Sequence, residues 1–448
     1  MIKVFKKVLL FTFYLIITGE CVMAKNSLPK YYEEILENGL KVIAIPLNNN
    51  SDVITTDIFY NVGSRDEIMG KSGIAHMLEH LNFKSTKNLK AGEFDTIVKG
   101  FGGVNNASTG FDYTHYYIKS SKKNLSKSLE LYADLMENLT LKDAEFQPER
   151  DVVAEERRWR TDNSPMGYLY FKLFNNTFTY HPYHWTPIGF MNDIQNWKIK
   201  DIQDFHSRYY TPSNAIVIVA GDIDKDEVFN EVKKQFQSIE NTKNSKNILK
   251  NLHTIEPKQD GAKRVTIHKD TEVEMLAINF NIPNFLHEDQ VALSALSELL
   301  SSGKSSRLNE LLIDEKQLVN TVYAYNMELK DPGVYMFLAV CNPGVNAIDV
   351  ENYILDEIEK IKSGDIKKEE LDKVKKNTKS DFIFSLESSS SVASLYGSYL
   401  SRGDISPLMN YEEKIDKLEV ENLIDVANKY FKKSNSTTII LKKSDEKE

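Results

Sequence analysis

Apolar residues along this chain fall into two kinds of run: short blocks rich in β-branched and aromatic side chains, and longer stretches with helical spacing. Residues 41–46 and 53–62 belong to the first kind and read as strands. Residues 63–73 are rich in turn formers, and 74–83 then show the spacing of a helix. Further helices are predicted over 126–141 and over 148–159, the latter with Pro148 in its first turn. Residues 215–220 form a short apolar block ending at Gly221, the pattern of a buried strand. A second set follows: strands over 273–280 and 334–340, helices over 290–300 and 369–386. Strands and helices mix without regular alternation, which predicts an α+β fold rather than a doubly wound sheet.

Two stretches end these sets alike. Residues 199–210 with Ser213-Asn214 can be laid over 420–431 with Ser434-Asn435, without a gap, 221 residues apart as from Ile199 to Val420. Each reads as a helix running into a turn and a short terminal strand. An offset near half the chain predicts internal duplication. With 448 residues, two domains of about 200 residues are the natural division. The polar, Asn- and Lys-rich stretch from Ser238 to Gly261 marks their junction. The expected division is 1–24 as a signal peptide, 25–240 and 262–445 as two similar domains, and 241–261 as the linker.

The N-terminal assignment rests on Lys3, Lys6 and Lys7, then an apolar run over 8–17 interrupted by Thr12, then Val22-Met23-Ala24 before a cleavage point. That is the pattern of an exported protein, and the run is too short for a comfortable membrane span. No stable span is expected after signal removal, an uncleaved signal anchor being the alternative. Glu20 sits where a lipoprotein site beginning at Cys21 wants a small residue. Apart from Cys21 the chain has Cys341 alone, so no internal disulfide is expected; Cys341 follows an apolar run and reads as a buried, inert thiol. The formal net charge of -9 argues against nucleic acid as a partner.

The chemistry concentrates at His76-Met77-Leu78-Glu79-His80. On a helix, residues four apart project from one face, so His76 and His80 can ligate one Zn²⁺. Glu79 lies on the same side, where it can act as general base on the attacking water without being a ligand. The competing reading is surface histidines meeting a glutamate by accident. The apolar flanks Ile74, Ala75, Met77 and Leu78 make the helix apolar nearly all round, which buries these polar groups and calls for a partner such as a metal. A catalytic zinc usually takes a third protein ligand. On the helix over 148–159, Glu149, Val152, Val153 and Glu156 fall on one stripe, which makes Glu156 a candidate. A run this charged is equally the pattern of a solvated face. His181 and His184 make a second pair, but Pro182 intervenes and no acid is placed to help, so a structural role is expected.

A resemblance adds to this. Asn38-Gly39-Leu40, Val62 to Glu67 running into Gly73-Ile74-Ala75-His76, Gly102-Gly103 with Asn106-Ala107, Asp112-Tyr113-Thr114, His181-Pro182-Tyr183 and Tyr210 to Asn214 together resemble the pitrilysin family of inverted zincin metallopeptidases. The likeness is to its short two-domain branch, which includes mitochondrial processing peptidase and bacterial periplasmic relatives, and it spans roughly residues 32–441. In that family the ligand glutamate lies about 76 residues after the second histidine and closes an E-x6-E pattern, which Glu149 and Glu156 satisfy. The resemblance therefore implies His76, His80 and Glu156 as ligands of one zinc, with Glu149 as a supporting acid. It implies two similar α+β domains that form half of a clamshell-type assembly, and peptide or unfolded protein as substrate. It also implies that substrate adds a strand along Gly103, Val104, Asn105, Asn106, Ala107 and Ser108. With the export signal, it implies a periplasmic location.

One departure stands out. After Ser305-Ser306-Arg307-Leu308, family members that complete the site from this half carry an arginine and, seven residues on, a tyrosine; here Ile313 and Asn320 occupy those places. The resemblance then implies a heterodimer, in which a homologous partner subunit lacking the zinc motif supplies the Arg/Tyr pair. The alternative is a non-catalytic binding or assembly subunit that retains a zinc site.

Overall fold

A computed structural model describes residues 27–243 and 255–444. The expected signal peptide lies outside the described residues, as does the middle of the expected linker. Among the described residues, eleven strands build two sheets. The first has the order β1-β2-β6-β3-β5-β4, from β1 (Tyr32–Ile35), β2 (Lys41–Pro46), β3 (Val53–Tyr60), β4 (Val104–Thr109), β5 (Thr114–Ser121) and β6 (Ala215–Gly221). The second has the order β7-β11-β8-β10-β9, from β7 (Lys263–Lys269), β8 (Met275–Asn281), β9 (Val319–Met327), β10 (Val334–Cys341) and β11 (Ser436–Lys443).

The sheets repeat one design. In each, one pair is parallel, β2 with β6 and β7 with β11, and the other pairings are antiparallel. The duplication expected at an offset of 221 is present in detail. Helix Ile199–Tyr209 corresponds to Val420–Tyr430, and the single turns Pro212–Asn214 and Lys433–Asn435 lead into β6 and β11. In both copies the turn asparagine side chain donates to the last helical carbonyl, Asn214 to Tyr209 and Asn435 to Tyr430, each at 2.9 Å. That bond satisfies a carbonyl the helix end leaves open.

β2 and β6 are apolar on both faces because both faces are covered. Val42, Val217 and Ile58 meet the helices of their own half, whereas Ile43, Ile218 and Phe59 pack on Val392, Ala393 and Tyr396 of helix Ser389–Arg402, from the other half. The exchange is mutual. Helix Pro165–Thr177 of the first half sets Leu169, Leu173 and Phe174 against Met275, Ala277 and Ile439 of the second sheet. Gly397 permits the close approach, since a Cβ there would meet Phe59 ring carbons at 2.2 Å. A glycine inside a helix costs about 1 kcal/mol in propensity, which the packing offsets.

A polar clamp joins the halves as well. Asp331, in the β9–β10 turn, accepts hydrogen bonds from Arg65 at 2.5 Å and His181 at 2.9 Å, and the Lys330 amide donates to Asp112 at 2.8 Å. Burial alone would raise the Asp331 carboxyl, but the His181 and Arg65 contacts overcome it and hold it at about 2. His184 instead bonds Asn175 and the Phe178 carbonyl, so the second histidine pair of the sequence is structural. Cys341 is fully buried, and burial pushes its thiol up to about 12.

Candidate active site

The histidine motif lies on helix Ile74–Asn82, whose Ala75, Met77, Leu78 and Leu81 are sunk in the first core. Its entry is pinned from outside the helix. The Glu67 carboxylate accepts from the amides of Gly73 and Ala75, each at 2.8 Å, and from the Trp185 indole at 2.7 Å. A helix N-terminus attracts negative charge, and three donors converge on this one. Burial still pushes the Glu67 carboxyl up to about 8, against those bonds. Gly73 has φ +86°, and a Cβ there would meet the Ile188 carbonyl oxygen at 2.7 Å, so glycine is required at this corner.

The acidic helix runs from Asp143 to Arg157, starting five residues before the expected Pro148, which lies inside it. Proline there removes one helical hydrogen bond, which the packing of Phe146 and Val153 outweighs. Its buried stripe is narrower than expected: Val153 is fully buried, but Val152 faces outward at 51% exposure. Glu149, Val153 and Glu156 are four and then three residues apart and share the inward face, whereas Val152 falls to its flank. Beyond Arg157 the chain turns more widely, with π-helical bonding over Arg158–Asp162. Such turns often accompany functional sites. Arg157 fixes this end by donating to the Gly189 carbonyl and to Asp162 and by stacking on Phe171.

The two helices bring the expected residues together. Nε2 of His76 and of His80 lie 3.7 and 3.4 Å from Oε2 of Glu156. One ligand atom from each of the three lies within 4.8 Å of the others. Bonds of roughly 2.0–2.2 Å in a tetrahedral site put ligand atoms about 3.3–3.6 Å apart, so these residues could hold one metal ion with little movement. Nδ1 of His80 donates to Glu149 at 2.9 Å, leaving Nε2 to face the site, and Lys84 balances Glu149 at 2.6 Å. A carboxylate behind a ligating histidine is the usual way to fix its tautomer. Arg160 pairs with the other oxygen of Glu156 at 2.9 Å.

The electrostatics agree with a cation site. Burial, aided by His80, pushes His76 down to about 4, so its imidazole is neutral, the form that ligates a metal. For His80 burial works downward but is outweighed by Glu149 and Glu156, which carry it to about 9. The His80 hydrogen bond holds Glu156 below its ordinary value. Burial raises Glu149, but its bonds to His80 and Lys84 win and lower it. The pair of carboxylates thus attracts positive charge at the point where the imidazoles converge. Glu79 stands beside that point and bonds the Thr109 hydroxyl at 2.5 Å; burial raises its carboxyl.

These groups line a cavity of about 780 Å³ whose other wall is β4. β4 is the last strand of its sheet, so among the described residues its outer edge has no strand partner. Asn105, Asn106, Ala107 and Ser108 line the cavity; Gly103 and Val104 do not. Among the described residues, every one that lines it falls in the sequence from His76 to Arg160, and none comes from the second half. Ile313 packs half-buried on the second core, and Asn320 is exposed on β9. Sequence reasoning missed Phe83, Lys84, Asp95, Thr109 and Arg160 in this lining. Lys84 and Arg160 each follow a named residue by four, a usable signal; Thr109 and Asp95 carried none.

Fold and site define a two-half α+β protein with a donor set for one metal beside a further carboxylate. Residues 42–183 match the family described as Insulinase (Peptidase family M16), and residues 196–378 match the one described as Peptidase M16 inactive domain. The chain is 54% identical over 429 residues to the zinc protease PqqE of Helicobacter pylori, covering 96% of each. It is 26% identical over 420 residues to a probable mitochondrial-processing peptidase subunit beta of Arabidopsis thaliana, covering 90% of this chain and 77% of that one. The crystal structure of a protease from Helicobacter pylori superposes with a TM-score of 0.90 at 55% identity, over 93% of this chain and 100% of that one. The chain therefore belongs to peptidase family M16, which bears out the pitrilysin-type resemblance and the two similar α+β halves. Its relatives' names support a zinc-linked peptidase function.

Proposed function

We propose that this chain is the catalytic, zinc-bearing subunit of a metalloendopeptidase that hydrolyses peptides or unfolded polypeptides. The observation that carries the reading is the convergence of His76, His80 and Glu156 on one point, with Glu79 beside it, opposite an unpaired strand edge. His76, His80 and Glu156 would hold one Zn²⁺, and Glu149 would keep the His80 ring in register. Zinc bound there would polarise the scissile carbonyl and make water a stronger acid. Glu79 takes the proton from the attacking water and returns it to the leaving amine. An extended substrate pairs its backbone with the outer edge of β4, Asn105 to Ser108, which gives sequence-tolerant binding.

Among the described residues that line the cavity none belongs to the second half, Ile313 and Asn320 included, which supports an oxyanion site that this half does not complete. A homologous partner subunit supplies the missing arginine and tyrosine. The domains are 25–240 and 262–445, joined by 241–261. The export signal over 1–24 sends the protein to the periplasm; among the described residues no helix is long and apolar enough to cross a membrane. The absent Arg/Tyr pair also favours a second reading, a non-catalytic binding subunit.

Cleavage of an unstructured peptide by wild type and by Glu79→Gln, each with the partner present, separates them. Loss of about a thousandfold or more in the variant is expected, since both proton transfers go through Glu79. Equal rates would leave only the binding subunit. Full activity of the chain purified alone would exclude the heterodimer.

A further inference from the structure

The Glu79 carboxylate is tied to the substrate strand. Its Oε2 accepts the hydroxyl of Thr109, the last residue of β4, on the strand whose Asn105 to Ser108 face the cavity. Thr109 itself is held firmly. It stands opposite Thr114 in the β4–β5 ladder, and the Gly110 amide closes the turn onto the Tyr113 carbonyl at 2.9 Å. The turn is docked on the loop before the motif helix: the Ser64 and Arg65 amides donate to the carbonyls of Gly110 and Phe111 at 3.2 and 2.9 Å. From the other half, the Lys330 amide bonds Asp112 in the same turn. A glutamate has three side-chain torsions and would otherwise sample several orientations over an open cavity.

Resting on the function proposed above, we propose that Thr109 is a positioning residue for the base. Its hydroxyl holds one oxygen of Glu79 and leaves the other to the reacting water. Because Thr109 ends the strand that substrate extends, pairing along β4 steadies the same hydrogen bond, so a filled strand and an oriented base go together. In this role Thr109 acts through Glu79 and not on the reacting atoms.

The test uses the full chain with its partner subunit and an unstructured fluorogenic peptide as probe, with zinc content and far-ultraviolet circular dichroism recorded for each variant. Thr109→Val keeps the shape and removes the donor. Its kcat is expected to fall about tenfold to a hundredfold, the worth of a hydrogen bond to a charged group, with KM within about threefold. Thr109→Ser restores the hydroxyl and is expected to recover most of the lost kcat. If the valine variant folds poorly, Thr109→Ala and Thr109→Ser make the same comparison without added bulk. A valine or alanine variant as active as wild type overturns the assignment. So does a rise in KM at unchanged kcat, which would make Thr109 a strand residue only, or a serine variant as impaired as valine. Glu79→Gln is run alongside. If it cleaves like wild type, the peptidase reading fails and takes this one with it; if it is inactive while Thr109→Val is not, only Thr109 loses its role.

Discussion

Replacing Glu149 tests the site through metal affinity, independently of any substrate. Its carboxylate accepts from His80 Nδ1 at 2.9 Å and from Lys84 at 2.6 Å, and its side chain is 13% exposed. Truncation to alanine removes a hydrogen bond to a charged group, worth about 1.5–3 kcal/mol. It also frees the His80 ring to rotate and deprives it of the partner that fixes its tautomer. Outer-shell losses of this kind weaken a metal site by about tenfold to a hundredfold, the same range reached from the other direction. Glutamine keeps an acceptor for Nδ1 but turns an amide NH₂ towards Lys84, so Glu149→Gln should fall between wild type and alanine. Zinc titration of the apoprotein against a chromophoric chelator at neutral pH gives the dissociation constants. Lys84→Met is the control, because it removes the charge behind Glu149 while leaving the His80 bond, and it should weaken zinc less than Glu149→Ala. An alanine variant within about threefold of wild type would refute the reasoning, as would Lys84→Met weakening zinc more than Glu149→Ala.

Two further changes probe the frame. Asp331→Asn removes the clamp between the halves. A carboxyl held at about 2 against 3.8 contributes about 2 kcal/mol at neutral pH. A depressed carboxyl stabilises above its unfolded value and loses that contribution as pH falls through its folded one. The gap between wild type and Asp331→Asn in urea unfolding should therefore be present at pH 7 and shrink by roughly half at pH 3; a gap that does not narrow would count against the clamp. Glu67→Ala orphans three buried donors, the Gly73 and Ala75 amides and the Trp185 indole, at about 1–3 kcal/mol each. It should lower the unfolding midpoint and weaken zinc by loosening the first turn of the motif helix, and retention of both properties would show that the anchor is dispensable.

The parts of the site that were legible in the sequence are the ones with local geometry. His76, Glu79 and His80 sit within one helical turn and a half, so spacing alone fixed their shared face. Glu156 needed more, because a charged helix reads the same whether it meets solvent or a metal. Its stripe partner Val152 proved to be exposed, so the stripe was weaker evidence than it looked. The roles of Thr109 and Glu67 were invisible, since each acts across a tertiary contact that no periodicity encodes. The duplication was readable because the helix, turn and strand recur at one offset. The exchange of helices was not. Strands β2 and β6 announce that both faces are buried, yet nothing in their residues says that Ser389–Arg402 of the other half covers one of them.

That exchange bears on how the site must close. Each sheet is roofed partly by a helix from the other half, and Asp331 pins the β9–β10 turn to Arg65 and His181 beside the loop that leads into the motif helix. Swinging the second half over the candidate site would uncover Ile43, Phe59 and Ile218 on one side and Met275, Ala277 and Ile439 on the other. Apolar burial is worth about 25 cal/mol per Å², so exposing two sheet faces at once is costly compared with any gain from covering one peptide. The packing therefore favours the two halves moving together, and among the described residues those that line the cavity run from His76 to Arg160. For the peptidase proposed above, a cavity lined from one half of the chain would be completed by a second molecule more readily than by a motion of this one. The shared packing is thus the physical argument, within that proposal, for seeking the arginine and tyrosine on a partner subunit rather than in a motion of this chain.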